Sequence, residues 1–282
     1  MNRIAAGIVL FNPEMSRLEE NISSIIKQSE IIYLVDNGSD NIDSINDFVN
    51  QLDEYKIVLQ RNKNNEGIAK ALNQLCSMAI GDDFKWILTL DQDSVCPSKM
   101  VENYSKYVNE VSVGMFCPVV LDRNKSDKVE YKNDIAEVKG CITSGSLLSL
   151  LAWKKIGGFD ENMFIDGVDY DICYRLRLAN YKIVCVRNVI LLHELGHIEC
   201  RHFLFWNVIV KNHSAFRKYF IARNIIYIAR KRESILLTAK GILQEIKLLG
   251  IVLLYEDDKK DKMINIVKGI RDGIKGKVGG KS

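Results

Sequence analysis

Four short apolar runs in the first ninety residues each stop at a polar cluster, and helical periodicity fills the gaps between them. The runs are Ile4–Phe11, Ile31–Val35, Ile57–Leu59 and Phe84–Leu90. A strand covered on both faces reads as a continuous apolar run, and not as an alternating one. Between the first two runs, Leu18, Ile22, Ile25 and Ile26 recur at helical spacing, with Ser16 and Glu19 placed to form a capping box. Before the fourth, Ile68, Leu72, Leu75 and Ala79 share one helical face behind Asn64, a candidate N-cap. Strand and helix in strict alternation predict an α/β fold, a mostly parallel central sheet flanked by helices. In such sheets ligands bind beyond the carboxyl ends of the strands. The polar clusters Asp36-Asn37, Asn64-Asn65-Glu66 and Asp91-Gln92-Asp93 fall at those ends.

The second half is mixed. Ser144–Leu151 reads as a strand after a turn, Asp169–Leu178 as a helix and Lys182–Val186 as a strand. From about Phe203 onward the pattern is helical, amphipathic and rich in Lys and Arg. The expected organisation is a catalytic domain over 1–200 and a helical C-terminal extension over 201–282.

Composition removes several classes of function. With 282 residues, 47% of them hydrophobic, the chain can bury one large core. Its 39 basic and 36 acidic residues nearly cancel, so charge does not point to a nucleic-acid partner. Neither a G-x-G-x-x-G nor a P-loop is present. The 7 cysteines are scattered among apolar residues with no C-x-x-C pair, as expected for reduced thiols in a cytoplasmic protein. The opening MNRIAAGIVLFNPE fits a first strand better than a signal peptide. No uncharged run approaches the ~20 residues that a spanning helix needs. The most apolar late segment, from Ile235 to Tyr255, is interrupted by Lys240, Glu245 and Lys247.

Three constellations could carry chemistry. Asp91 and Asp93 follow the strand WILTL, and two carboxylates at one strand end suit Mg²⁺ or Mn²⁺ bridging to a diphosphate. The same residues also fit the nucleophile strand of a haloacid-dehalogenase-like phosphatase, with Asp91 attacking phosphorus, although that fold opens with this strand and here three strand–helix units precede it. Second, His193-Glu194-Leu195-Gly196-His197 matches the H-E-x-x-H of zinc peptidases. The β-branched residues before it and Gly196 within it argue against the helix that motif requires. His193 at a strand end remains a metal-ligand candidate. Third, Asp166, Asp169 and Asp171 interleave with apolar residues ahead of a helix. Carboxylates in such surroundings suit general-base work, while acids at a helix N-terminus are also favoured by the helix dipole alone.

Taken together, VDNGSD, NEGIAKALN, LDQDS, TSGSL, GGFDE, FIDGVDYDICYRLR and the His193 segment resemble the inverting glycosyltransferases of family 2, which have the GT-A nucleotide-sugar-binding fold. HSAFRKYFIARN and IRDGIKGKVG resemble the rhamnosyltransferase-like branch. The resemblance spans nearly the whole chain, and FIDGVDYDICYRLR is its most specific part. It implies that Asp36 and Asn37 meet the nucleobase, that Asn65, Glu66 and Gly67 line the nucleotide pocket, and that Asp91 and Gln92 reach the ribose or diphosphate. It further implies a Mn²⁺ or Mg²⁺ ion on Asp93, His193 and Asp91, with Ser144 and Gly145 beside the acceptor. Asp169 matches the base; the family's preceding Glu is Val168 here, and Asp166 and Asp171 are the neighbouring acids able to take the role. The implied donor is dTDP-L-rhamnose or another dTDP- or UDP-sugar. The implied acceptor is a saccharide, linked to polyprenyl diphosphate, in bacterial cell-surface polysaccharide synthesis. Basic amphipathic C-terminal helices, with Arg217-Lys218 and Arg230-Lys231-Arg232, would serve peripheral membrane contact at the inner face of the plasma membrane or pairing into a homo-oligomer.

Overall fold

A computed structural model of the chain describes residues 3–52, 56–110, 112–122, 135–193, 199–203 and 206–280. The predicted alternation is present. Strands β1 (Ile4–Leu10), β2 (Ile32–Asp36), β3 (Ile57–Arg61) and β4 (Trp86–Asp91) are joined through helices α1 (Met15–Ile25), α2 (Ile42–Asn50) and α3 (Ile68–Gly81). Every residue of β1 and β2 is buried, as their unbroken apolar runs require. After α4 (Met100–Ser105) come β5 (Val113–Asp122), β6 (Ile135–Glu137), β7 (Ser146–Ser149), α5 (Leu150–Lys155), α6 (Val168–Leu178) and β8 (Lys182–His193). The eight strands form one sheet in the order β3-β2-β1-β4-β7-β5-β8-β6. β7 runs antiparallel to β4 and β5, and β6 antiparallel to β8; the remaining pairs are parallel.

Several local expectations need correcting. The strand expected over Ser144–Leu151 stops at Ser149, whose hydroxyl accepts from Ala152 N and starts α5. Ser16 does not form a capping box: α1 begins after Glu14, and the Ser16 hydroxyl donates to the Glu14 carboxylate. Asn64 does not cap α3, whose N-cap is Gly67. β8 is much longer than Lys182–Val186. The region after Phe203 is not uniformly helical either, because β9 (Glu199–Phe203) and β10 (Trp206–Val210) pair as an antiparallel hairpin. Helices α7 (Ala215–Lys231), α8 (Ile235–Tyr255) and α9 (Lys259–Lys275) then follow.

The chain divides into two compact units, Met1–Asp160 with Asp169–Glu194, and Glu161–Val168 with Leu195–Ser282. Each has its own apolar core. In the sheet unit, Ile8, Leu10, Leu34 and Leu88 meet Leu18, Ile22 and Ile25 of α1. A second feature of this unit is a group of sulfurs in which the Cys141 thiol lies 3.4 Å from Met115 Sδ and the Cys173 thiol donates to the Cys141 carbonyl at 3.6 Å. All 7 cysteines are free thiols. The Cys141 thiol and burial push the Cys173 thiol well up, and burial alone does so for Cys76.

In the helical unit, Ala222, Val252 and Ile266 bring α7, α8 and α9 together. Two buried lysines, Lys218 and Lys262, approach the buried Glu256 carboxylate at 2.6 and 3.2 Å. α9 presses on α7 through glycines: a Cβ at Gly269 would stand 2.4 Å from the Tyr219 carbonyl oxygen, and one at Gly273 would stand 2.7 Å from that of Arg223. Alanine at an ordinary helical glycine gains about 1 kcal/mol of propensity. At Gly269 the overpacking term of about 1–3 kcal/mol outweighs that gain. Gly269→Ala is therefore expected to lower the urea midpoint of unfolding, and a rise would show that α7 and α9 are free to separate.

Candidate functional site

Parallel pairing sets the level of each strand end. Leu10 is in register with Asp36 on one side of β1, and Val9 with Asp91 on the other. Asp36 in turn is in register with Arg61. The ends of β3, β2, β1 and β4 therefore share one edge, and the polar loops that follow them meet there.

Asp36 is fully buried, and its carboxylate accepts from Ser39 N at 3.2 Å while Arg61 Nε stands 3.5 Å away. Asn37 acts as a junction. Its Oδ1 accepts from Asn62 Nδ2 at 3.1 Å and from Glu66 N at 3.0 Å, and its Nδ2 donates to Asn65 Oδ1 at 2.9 Å. The same Asn65 oxygen accepts from Gly67 N at 3.0 Å. Two glycines allow this close approach. Gly38 has φ +84, and a Cβ there would lie 2.7 Å from the Asn64 carbonyl carbon; Gly67 has φ 89. Glu66 pairs with Lys70 at 2.9 Å.

The loop after β1 ties this cluster to the Asp91–Asp93 turn. Asn12 N donates to Ser39 Oγ and Asp40 N to Asn12 Oδ1. Gln92 then bonds both polar backbone groups of Phe11, accepting from its N–H at 2.8 Å and donating to its carbonyl at 3.3 Å. Across the turn, Asn21 of α1 donates through Nδ2 to the Asp91 carbonyl at 2.8 Å and to the Ser94 carbonyl at 2.6 Å.

Ser144 joins the turn to the loop before β7. Its hydroxyl accepts from Asp91 N at 3.1 Å and lies 2.7 Å from Ser94 Oγ. Gly145 N donates to the Thr89 carbonyl at 2.7 Å, and the buried Tyr104 hydroxyl donates to the Gly145 carbonyl at 2.7 Å. Next to Ser144, Thr143 N donates to Asp169 Oδ1 at 3.1 Å. Two hydrogen bonds joined by the Thr143–Ser144 peptide thus connect Asp169 to Asp91.

The other two acids of that segment are held elsewhere. Asp171 is buried and paired with Arg175 at 2.6 Å, and Arg175 also donates to the Ile156 and Gly158 carbonyls. Asp166 belongs to the helical unit, where Arg217 approaches its carboxylate with Nε and Nη2 at 3.0–3.1 Å.

His193 closes β8 with its backbone in register with Asp122, and its neighbour Leu192 forms an antiparallel bridge with Val95. The Asp93 turn and the end of β8 therefore adjoin through the backbone. The orientation of the His193 side chain, like residues Glu194–His197, lies outside what the structure describes. A strand ending at His193 does not supply the helical turn on which a zinc peptidase places its two histidines. Asp91 and Asp93 offer hard oxygens at one strand end, the donor type that Mg²⁺ or Mn²⁺ takes. Among the described residues no three His, Cys, Asp or Glu side chains converge as a ready ligand cage.

Sequence reasoning did not single out Asn21, Asn62 or Thr143. Asn21 carried a usable signal, since it falls on the buried face of α1 beside Leu18, Ile22 and Ile25 and a polar residue there demands partners. Asn62 and Thr143 had none, because their partners come from distant segments.

The family model for glycosyl transferase family 2 matches residues 7–184. The dTDP-rhamnosyl transferase RfbF of Shigella flexneri is 26% identical over 299 residues, covering 99% of this chain and 98% of that protein. Among solved structures, the mannosyltransferase PcManGT from Pyrobaculum calidifontis in complex with GDP-Man and Mn²⁺ superposes with a TM-score of 0.61 at 12% identity, covering 96% of this chain and 87% of that one. S. aureus TarS 1–349 in complex with UDP-GlcNAc gives 0.60 at 15% identity over 96% of this chain and 81% of that one. GalNAc-T7 with UDP, GalNAc and Mn²⁺ gives 0.63 at 14% identity over 81% of this chain, which spans 47% of that longer protein. At such identities the structural likeness shows the fold, that of GT-A glycosyltransferases.

The Asn21 clasp yields a direct test. Asn21→Ala removes the donor that both the Asp91 and Ser94 carbonyls share. The expected loss is about 2–3 kcal/mol of stability, the desolvation penalty of buried acceptors left without a partner. Urea unfolding measures it; an unchanged midpoint would mean that the turn holds itself.

Proposed function

As this chain belongs to glycosyl transferase family 2, we propose that it transfers L-rhamnose from dTDP-L-rhamnose, with inversion, onto a lipid-linked saccharide in bacterial cell-surface polysaccharide synthesis. The observation carrying this reading is the polar path along the carboxyl edge, from Arg61 and Asp36 through Gln92 and Ser144 to Asp169. Its breadth suits a nucleotide at one end and a reacting hydroxyl at the other. Rhamnose as the donor sugar rests on the near full-length relation to RfbF. The donors named for the structural neighbours are UDP-GlcNAc and GDP-Man, so another nucleotide sugar is the second reading.

In this assignment Asp36 and Asn37 receive the nucleobase, and Asn65, Glu66 and Gly67 shape the nucleotide pocket. Asp91 and Gln92 lie along the ribose and diphosphate. Asp93 and His193, with Asp91, would hold Mn²⁺ or Mg²⁺, which when bound offsets charge on the departing diphosphate. Ser144 and Gly145 face the acceptor. Asp169 removes the proton of the acceptor hydroxyl as that oxygen attacks the anomeric carbon from the side opposite the diphosphate. One displacement inverts the centre, with no covalent enzyme intermediate. The bond from Thr143 N holds one carboxylate oxygen of Asp169 in place beside the acceptor loop. We place catalysis in the sheet unit, and acceptor, membrane or subunit contacts in the C-terminal helices. The proposed site of action is the cytoplasmic face of the membrane; among the described residues no helix is long and apolar enough to cross one.

A thermal-shift panel of nucleotide sugars with and without Mn²⁺ tests the donor. A metal-dependent shift specific to dTDP-rhamnose is expected, and a response to UDP- or GDP-sugars alone would refute the rhamnose assignment. Asp93→Ala should abolish the metal-dependent part of that shift. Asp169→Asn preserves the acceptor of the Thr143 bond, so donor binding should be retained while turnover falls by about 10²–10⁴. Full turnover by Asp169→Asn would rule it out as the base.

A further inference from the structure

The helical unit exposes large aliphatic side chains along two of its helices. On α8, Val252, Leu248 and Leu249 point into the core with α7 and α9. The opposite face is apolar too: Leu236 is 79% exposed, Leu243 66%, Ile246 56% and Leu253 54%. A helix that is apolar on both sides has a second apolar medium to meet. α9 repeats the arrangement. Ile266, Met263 and Ile270 face inward, while Ile264, Val267 and Ile274 are exposed.

Charge decides what that medium is. The exposed ionisable residues of α8 are Lys240 and Lys247, and its one acid, Glu245, is buried, its carboxyl pushed up to about 7 by desolvation. On α9, Lys259, Lys260 and Lys275 are exposed, while Arg271 and Lys277 lie 3.9 and 3.5 Å from the buried Asp272 carboxylate. The exposed acids of this stretch, Asp257, Asp258 and Asp261, gather at the α8–α9 connection, and the other two acids, Glu256 and Asp272, are buried. The basic groups named from sequence contribute less, since Lys218 is buried on Glu256 and Arg217 pairs with Asp166.

From this we infer that the outer faces of α8 and α9 dock on a lipid bilayer carrying anionic headgroups. Leucine and isoleucine enter the acyl boundary, and the bordering lysines meet the headgroups. A two-fold contact between copies would set a surface bordered by like charges against itself, which costs affinity. With three charges inside α8, the helix lies on the membrane and does not span it. The inference rests on the membrane contact proposed above for the C-terminal helices and deepens it by naming the surface and the lipid; it is measured without donor or acceptor.

The test is co-sedimentation of the full chain with vesicles of phosphatidylcholine alone and with 30% phosphatidylglycerol. Binding is expected to the anionic vesicles only and to weaken with salt. Lys240→Gln and Lys247→Gln should each reduce partitioning about fivefold at low salt, corresponding to about 1 kcal/mol per lysine. Leu236→Ser with Leu243→Ser should reduce it at least as much in a protein whose thermal midpoint is kept, because both residues are exposed. Absence of binding at low salt, or equal binding by these variants, overturns the inference. So does a dimer in analytical ultracentrifugation that the leucine variant dissociates while vesicles remain unbound, which would assign the face to a second copy. The donor panel can fail while vesicle binding holds, and the reverse, so the two readings fall separately.

Discussion

The parallel pairing of β1 with β2 on one side and with β4 on the other is the constraint from which the site follows. A parallel ladder forces strand ends to the same edge, because each strand returns through a helix before it can pair again. The register then fixes the level: Asp36 and Asp91 flank the last residues of β1. A slip of one residue would turn Asp36 from its buried place beside Ser39 to the opposite face of the sheet. The buried aliphatic residues of β1 and β2 make such a slip costly, so the apolar core is what aligns the polar edge.

Side-chain amides do much of the remaining work. Asn21, Asn37 and Asn73 each bridge segments that the sheet leaves unconnected. Asn73 of α3 accepts from Trp153 Nε1 and Phe159 N and donates to the Phe159 carbonyl, which anchors the chain beyond the glycine pair Gly157-Gly158. An asparagine carries both donors and acceptors on a short stem, so it can stand in for a strand partner where backbone cannot reach. The loops at the carboxyl edge are held by such groups, and rigid positioning of this kind is what a transfer reaction requires of its reacting atoms.

Much of this was readable beforehand, and the limits have physical causes. β1, β2 and β4 announce themselves because both faces are buried, so their apolar runs are unbroken. The exposed end of β3 and the three-residue β6 lack that imprint. β7 was placed but overextended, since LLAWKK is as apolar as the strand before it and only the Ser149 cap marks the change. The helical pattern expected from Phe203 onward misses β10, because its Lys- and Arg-rich surroundings share the composition of the helices that follow. At the site, Asp36, Asn37, Asn65 and Asp91 were legible as turn residues after strands. The distinction among Asp166, Asp169 and Asp171 was not, for it depends on arginines 4 and 51 positions away.

The buried sulfur group has a practical corollary. Attack by a thiol requires its thiolate, and burial with neighbouring sulfurs keeps Cys117, Cys141 and Cys173 protonated at neutral pH. Cys76 and Cys96 are shielded in the same way. Cys200, on β9, is the exposed one. A maleimide dye applied to the native fold would therefore mark Cys200 ahead of the buried thiols, with the half-buried Cys141 and Cys185 next in reach.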